Sequence, residues 1–265
     1  MSAKPTDEVM LLAIDMGNTN IEVGVIDDKK IHFTERISTD IDKTELEYAV
    51  ILKTVMELHG IAPDDITGSI ISSVVPPLTH IIKQAVRMLI KNVDPMVVGA
   101  GLKTGLNIKI DDPRTLGADL VVDSVAGLNE YGAPLIIVDM GTATTITVID
   151  ANKDYIGGVI IPGVRTSLEA LVSKTSQLPR VSLSAPKKFI CTNTIDCMKS
   201  GIINGQASLV DGMIERFEDE IGEKAAVVAT GGLSKVIIPK CRHEIILDNS
   251  LMMKGLKVIY DKNSK

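Results

Sequence analysis

Two short segments of the chain combine a carboxylate, a glycine and polar side chains in the same order. The first is Asp15-Met16-Gly17-Asn18-Thr19-Asn20, and the second is Asp139-Met140-Gly141-Thr142-Ala143-Thr144-Thr145. A carboxylate at a strand end can hold a cation or its water, and the glycine lets backbone N–H groups approach phosphate oxygens closely. Two such loops facing each other could grip one nucleotide. Each could also be an ordinary β-hairpin with an acidic turn, since Asp and Gly are common in turns.

The elements around these loops are predicted from the spacing of apolar residues. Each loop follows an apolar run and precedes a β-branched stretch, which predicts strand, tight turn and strand in both halves. Helices are predicted over 44–59, 78–91 and 165–173 and from Thr194 onward, with strands over 66–75 and 96–98. A buried run at 226–233 ends in Gly231-Gly232, which could close on a flat purine or could form a plain strand-to-helix turn. This order predicts an α/β fold with mixed sheets.

Length and composition limit the organisation of the chain. With 265 residues and 45% hydrophobic content, two core-forming lobes are expected, at 10–127 and 128–262, with a loop-like break over 127–134. The net charge of −6 and the aromatic content of 3% argue against a nucleic-acid partner. The three cysteines and four histidines are too scattered for a transition-metal site or a disulfide framework. The first nine residues lack the apolar core of a signal peptide and no run could span a membrane, which predicts a cytoplasmic protein.

Further motifs accompany the two loops along the chain: Ser72-Ser73-Val74-Val75-Pro76, Gly117-Ala118-Asp119, Gly158-Val159-Ile160-Ile161-Pro162-Gly163 and Ala229-Thr230-Gly231-Gly232. Together they resemble type III pantothenate kinases, a branch of the actin-like ATPase superfamily, in the same order from Leu11 to Tyr260. The resemblance implies two related actin-like (ribonuclease H-like) lobes with mixed β-sheets flanked by helices and a nucleotide cleft between them. It also implies a homodimer that phosphorylates pantothenate to 4'-phosphopantothenate, the first step of coenzyme A synthesis, using ATP with Mg²⁺ and a monovalent cation, K⁺ or NH₄⁺.

The same resemblance assigns roles to individual residues. Asp119 would be the catalytic base, Asp139 would hold the monovalent cation, and Asp15 would hold Mg²⁺ through water. The ATP and phosphate contacts would be Asp15, Met16, Gly17, Asn18, Thr19, Asn20, Gly141, Thr142, Thr144, Gly231 and Gly232. The substrate contacts would be Ile110, Gly117, Ala118, Asp119, Leu120, Thr194 and Lys174, the last from a segment that reaches the neighbouring subunit in the family.

Two substrate positions depart from the family pattern. Leu120 stands where an Arg normally follows the catalytic Asp, and Ile110 stands where a Tyr is usual. Loss of one charge-assisted hydrogen bond, about 1.5 to 3 kcal/mol, would weaken substrate binding about 10- to 100-fold unless another group, such as Arg114, Arg165 or Lys174, compensates. Asp123, one turn after Asp119, faces either the pocket or the solvent.

These departures leave three functions open. The first is a pantothenate kinase with rearranged recognition of the substrate carboxylate. The second is a kinase for another small alcohol. The third is a nucleotide-binding regulatory protein without turnover.

Overall fold

The computed structural model describes residues 9–264, and the chain forms two compact units. Within the described residues, the first unit comprises 9–105, 114–126 and 252–264, and the second comprises 106–113 and 127–251. These units differ from the predicted lobes, 10–127 and 128–262, in the placement of 106–113 and of the C-terminal helix. The lobe assignment itself stays a prediction. The predicted absence of a signal peptide rests mostly on residues 1–8, which lie outside the described residues.

The helices and strands follow one another along the chain in two similar series. The first series is β1 (Leu11–Met16), β2 (Asn20–Ile26), β3 (Ile31–Ser38), α1 (Glu45–Leu58), β4 (Gly68–Ser73), α2 (Pro76–Leu89) and β5 (Met96–Val97). The short β6 (Asn107–Ile108) and the helix α3 (Ala118–Tyr131) come next. The second series is β7 (Leu135–Met140), β8 (Ala143–Ile149), β9 (Asp154–Pro162), α4 (Val164–Ser173), α5 (Thr194–Ile221), β10 (Ala226–Thr230), α6 (Ser234–Ile237), β11 (Ile246–Leu247) and α7 (Leu251–Asn263).

Each unit contains one mixed β-sheet, and the two sheets have the same topology. The first has the strand order β3-β2-β1-β4-β5, and the second has the order β9-β8-β7-β10-β11 with β6 added beside β9. In both sheets the first three strands pair antiparallel, and the later strands run parallel to the first. The duplication seen in the loops therefore extends to the whole sheet. The predicted fold class of mixed sheets flanked by helices is confirmed.

The core of the first unit follows from the alternation of side chains along its strands. On β1, Leu12, Ile14 and Met16 belong to one buried cluster, which contains apolar side chains of α1 and α2. Because successive strand residues point to opposite faces, Asp15 lies on the other face of β1. Helix α1 begins at a capping box in which Thr44 and Glu47 bind each other's backbone N–H groups.

The opposite face of this sheet is packed closely by the C-terminal helix. A side-chain carbon added at Gly24 would lie 2.7 Å from Met253 Sδ, and one added at Gly68 would lie 2.1 Å from Tyr260 Oη. These two strand glycines therefore leave the space that the side chains of α7 occupy. The same helix approaches α3, because an added carbon at Gly255 would lie 2.2 Å from the carbonyl oxygen of Val122.

The second unit is built around α5, a helix of 28 residues. Its buried side chains Ile203, Ala207, Val210 and Ile214 pack in one cluster with strand residues that include Met140 and Ile146. The helix ends at Gly222, which adopts the left-handed conformation with φ 78°. No helix within the described residues is both long and apolar enough to cross a membrane.

Two elements differ from the prediction. Helix α2 begins at Pro76 rather than Leu78, because proline is well accommodated in the first helical turn. The predicted break over 127–134 is wrong for its first half, since α3 runs through Gly127 to Tyr131. A carbon at Gly127 would stand 2.6 Å from Leu135 Cδ2, so this glycine permits close packing against β7 instead of ending the helix.

Candidate active site

The first loop of the candidate site joins β1 to β2 at the carboxyl end of β1. The backbone N–H of Gly17 donates to the carbonyl oxygen of Asn20 over 3.0 Å. Thr39 follows β3, and its hydroxyl donates a hydrogen bond to the Gly17 carbonyl oxygen over 2.6 Å. Its backbone N–H donates to the Thr19 carbonyl oxygen over 3.0 Å. The loop is therefore fixed by a residue that the sequence analysis did not select. Its tip remains exposed at Asn18, Thr19 and Asn20.

Asp15 is partly exposed, and on the neighbouring parallel strand β4 its register partner is Ser72. Register partners in a parallel pair share one face of the sheet, so both side chains lie on the face opposite the α1 and α2 cluster. The Ser72 hydroxyl is fully buried and makes no hydrogen bond to any residue that the structure describes. Two oxygen-bearing side chains are thus juxtaposed beneath the first loop.

The segment carrying Asp119 lies beside the same loop. The backbone N–H of Val74 donates to the carbonyl oxygen of Met16 over 3.0 Å. A side-chain carbon at Gly117 would lie 3.6 Å from Val74 Cγ1 and 2.3 Å from Asp119 Oδ1. Through Val74, the first unit brings together the first loop and three predicted substrate contacts, Gly117, Ala118 and Asp119.

Asp119 is the second residue of α3, and its environment alters its acidity. Burial raises the pKa of the carboxyl group, and hydrogen bonds from the backbone, including one of 2.8 Å from the N–H of Leu120, oppose this effect. The net result is a pKa above the ordinary value for Asp. Leu120 is partly exposed. Asp123 is buried, with 3% of its surface exposed, so the interpretation that it points to solvent is wrong.

The second loop joins β7 to β8 and is closed by a similar hydrogen bond, 3.0 Å from the Gly141 N–H to the Ala143 carbonyl. The carbonyl oxygen of Thr142 accepts from the backbone N–H of Gly163 over 3.2 Å and from the Thr166 hydroxyl over 2.9 Å. A carbon at Gly163 would lie 2.2 Å from that oxygen. The loop is therefore held against the start of α4, and only glycine fits at residue 163.

Gly231, just beyond β10, packs directly against Asp139. It has φ +90°, and an added carbon would lie 2.5 Å from Asp139 Oδ1 and 2.6 Å from the Met140 nitrogen. The second unit thus brings together the predicted contacts Asp139 and Gly231, and Gly232 is exposed next to them. Asp139 is also the register partner of Thr230 on β10, as Asp15 is of Ser72 on β4.

The two threonines at the start of β8 face opposite sides of the sheet. Thr144 pairs with Met140, is fully buried and lies on the core side, so its contact with ATP stays a prediction. Thr145 pairs with Asp139 and shares its face. The Thr145 hydroxyl is shielded from solvent and has no hydrogen-bond partner among residues 9–264. It is a candidate ligand residue that the sequence analysis quoted but did not select.

Thr194 and Lys174 lie in segments that border one open cavity of the second unit. Thr194 is exposed at the first position of α5, and the preceding Asn193 caps the helix by accepting the Asp196 N–H over 2.9 Å. Lys174 is exposed at the end of α4. The cavity has a volume of about 760 Å³, and its lining includes Thr194, Leu171 and Leu178. The two leucines precede and follow Lys174 in the sequence.

Ile110 lies elsewhere in the second unit. It is partly exposed and follows β6, which pairs with β9. The structure does not bring Ile110 to the cavity that borders Thr194. Its role as a substrate contact stays a prediction, as does that of Leu120.

Comparisons with known proteins agree with this arrangement. The sequence profile of the type III pantothenate kinase family matches residues 11–216. A type III pantothenate kinase of Halalkalibacterium halodurans is 44% identical over 96% of this chain and 100% of its own. One of Bacillus cytotoxicus is 43% identical over 96% of this chain and 97% of its own.

A solved structure supports the fold independently. The crystal structure of an archaeal actin homologue, 13% identical, matches 96% of this chain and 98% of its own with a TM-score of 0.51. At this identity the likeness concerns the fold alone, and it confirms the actin-like fold class. Taken with the family profile and the two relatives, the paired loops and the Asp119 segment lead to one conclusion: the chain belongs to the type III pantothenate kinase family.

Proposed function

We propose that this protein transfers the γ-phosphoryl group of ATP to the primary hydroxyl of pantothenate, which yields 4'-phosphopantothenate for coenzyme A synthesis. Membership of the family supports the reaction. The observation that carries the proposal is local: Val74 links the Met16 end of the first loop to the Gly117 turn that presents Asp119. A phosphate-binding loop and a candidate base therefore lie at one edge of one sheet.

Asp119 acts as the general base in this proposal. A carboxylate whose pKa is raised by burial accepts a proton more readily than an ordinary aspartate. It would orient the attacking hydroxyl and accept its proton as the bond to phosphorus forms. A positioned base of this kind contributes roughly 10²- to 10⁴-fold in rate.

The two glycine loops bind the phosphates in this proposal. Backbone N–H groups that are fixed before the reaction stabilise charge on phosphoryl oxygens without reorganisation. The first loop is fixed by Thr39 and the second by Gly163 and Thr166. The contacts of Asn18, Thr19, Asn20, Gly141 and Thr142 with ATP are part of the proposal, and their exposure is compatible with it.

The oxygen-bearing side chains near both aspartates suit hard cations. The Thr145 hydroxyl beside Asp139, and the Ser72 hydroxyl beside Asp15, are shielded oxygens with no hydrogen-bond partner in the described part of the chain. Carboxylates and other oxygen ligands are those that hard cations such as Mg²⁺ prefer. Asp139 with Thr145 would hold K⁺ or NH₄⁺, and Asp15 would hold Mg²⁺ through water. Such cations would neutralise charge on the phosphates.

A homodimer is part of the proposal. Large apolar side chains are exposed on both sides of the cavity segment that carries Thr194, with 67% exposure for Phe189, 87% for Ile190 and 48% for Ile195. Burial of such a surface against a second copy would be favourable. Lys174 would then reach the site of the neighbouring subunit, as the family resemblance implies.

A coupled assay tests the proposal. ADP release is measured with MgATP and pantothenate, with and without K⁺ or NH₄⁺, and the product is identified by mass. The proposal predicts phosphopantothenate that requires a monovalent cation. Turnover with a different small alcohol but not with pantothenate would indicate another kinase. ATP binding without turnover on any alcohol would indicate a regulatory protein.

A further inference from the structure

Two cysteines adjoin each other at the start of α5. Cys197 Sγ donates to the backbone carbonyl oxygen of Cys191 over 3.3 Å, and Cys191 Sγ donates to the carbonyl of Lys188 over 3.1 Å. Both are free thiols; Cys197 is exposed and Cys191 is partly exposed. Both line the cavity that borders Thr194, and both also line a second cavity of about 330 Å³. In the single chain, a small oxidant can therefore reach the two thiols from the same space.

We propose that Cys191 and Cys197 form a reversible disulfide when a peroxide oxidises the protein. The Cys197 thiol loses its proton, its thiolate attacks one peroxide oxygen and the O–O bond breaks, which gives a sulfenic acid and a hydroxide that takes up the released proton to form water. The thiolate of Cys191 then attacks the sulfenic sulphur, the S–O bond breaks, and the leaving hydroxide takes up a proton. In total, two thiols and one hydrogen peroxide give one disulfide and two waters.

The disulfide closes a small ring around the functional end of α5. The ring contains Thr192, Asn193, Thr194, Ile195 and Asp196. Bond formation requires the two Cβ atoms to approach to about 3.5–4.5 Å, and Cys191 must release the Lys188 carbonyl. The Asn193 cap and the exposed Thr194 would both be restrained by this change. The consequence for catalysis rests on the proposed function, in which Thr194 contacts pantothenate.

The third cysteine provides a matched control. Cys241 is a free thiol whose sulphur donates to the carbonyls of Ala207 and Ile237, both at 3.8 Å. Burial, with a smaller contribution from Asp211, raises its pKa to about 12. Because the thiolate is the reactive form, Cys241 is expected to stay reduced under conditions that oxidise the other two.

Peptide mapping of the full-length protein tests the disulfide directly. Trypsin cleaves after Lys188 and Lys199, so one peptide, 189–199, contains both cysteines. After hydrogen peroxide treatment and alkylation, this peptide should be lighter by two hydrogens and should carry no alkyl group. Dithiothreitol should reverse both changes. The same mass change is expected for Cys241→Ser. No loss of two hydrogens is expected for Cys197→Ser or Cys191→Ser.

Two sets of outcomes separate this inference from the proposed function. Alkylation of both thiols after oxidation, a link between two copies of the chain, or a link to Cys241 would each overturn the disulfide. In the wild-type enzyme, oxidation should raise the KM for pantothenate about fivefold, the effect of one lost hydrogen bond. In Cys191→Ser, which cannot form the disulfide, oxidation should leave this KM unchanged. A disulfide that leaves KM unchanged would overturn the role of Thr194. If the reduced protein does not turn over pantothenate, the proposed function fails, and the peptide mass still decides whether the disulfide forms.

Discussion

Gly231 lies against the carboxylate of Asp139, so closely that a side-chain carbon at residue 231 would stand 2.5 Å from Oδ1. The same added carbon would lie 2.6 Å from the backbone nitrogen of Met140, the residue that precedes Gly141 of the second loop. The packing of one glycine against one aspartate therefore holds the cation-binding residue of the proposed site in place.

Substitution Gly231→Ala should disrupt this packing. The residue has φ +90°, which costs an L-residue about 1–3 kcal/mol in addition to the overlap with Asp139. We expect a lower melting temperature and a KM for ATP raised at least about tenfold, measured by thermal unfolding and steady-state kinetics. Gly99→Ala is the matched control, because among residues 9–264 no atom beyond its chain neighbours lies within 4 Å of the added carbon, and its φ is not positive. Equal behaviour of the two variants would contradict the predicted effect.

Thr39 should be important for ATP binding although it lies 22 residues from Gly17 in the sequence. Thr39→Val removes the 2.6 Å hydrogen bond to the Gly17 carbonyl and keeps the shape of the side chain. Loss of about 1 kcal/mol predicts an increase of about fivefold in the KM for ATP. Thr39→Ser keeps the hydroxyl and should behave like the wild type. If Val and Ser give the same KM, the hydrogen bond does not support the loop.

The turn between β2 and β3 should make stability depend on pH. Burial of Asp27 raises the pKa of its carboxyl group, but hydrogen bonds from the backbone of Lys29 and Lys30 and from His32 outweigh burial and lower the pKa from 3.8 to about 2. A folded-state pKa below the unfolded value contributes stability above about pH 4, and this contribution is lost as the pH falls through about 2. The stability advantage of the wild type over Asp27→Asn, measured by urea unfolding, should shrink over this range. An advantage that is constant from pH 5 to pH 2 would contradict the assignment.

Several features of the fold could be predicted from the sequence because their signals are local. The two loops, most helices and the central strands β1 and β7 follow from apolar spacing and from the Asp-x-Gly pattern. Strand β3 and helix α7 were not predicted. Strand β3 pairs with the preceding strand β2, but only Phe33 of its residues is buried, so the spacing of apolar residues does not mark it. Helix α7 fills the space left by Gly24 and Gly68, which lie far away in the sequence.

The candidate site shows the same limit. Thr39 and Thr145 could not be selected from residue type alone, since threonine is common in strands and turns. Thr39 reaches the first loop because β2 and β3 return the chain to Gly17, and Thr145 faces Asp139 only through the register of β7 with β8. The burial of Asp123 likewise depends on how α3 packs against the rest of the protein. Its spacing of one helical turn from Asp119 does not determine which side of the helix is buried.

The central claim, that Asp119 is the base, is tested most directly by Asp119→Asn. The amide keeps the size of the side chain and cannot accept the proton of the attacking hydroxyl. We predict a kcat for pantothenate phosphorylation at least about 100-fold below that of the wild type. ATP affinity, measured by calorimetry with a non-hydrolysable analogue, should change less than about twofold. An Asp119→Asn enzyme that retains kcat within about tenfold of the wild type would contradict the account.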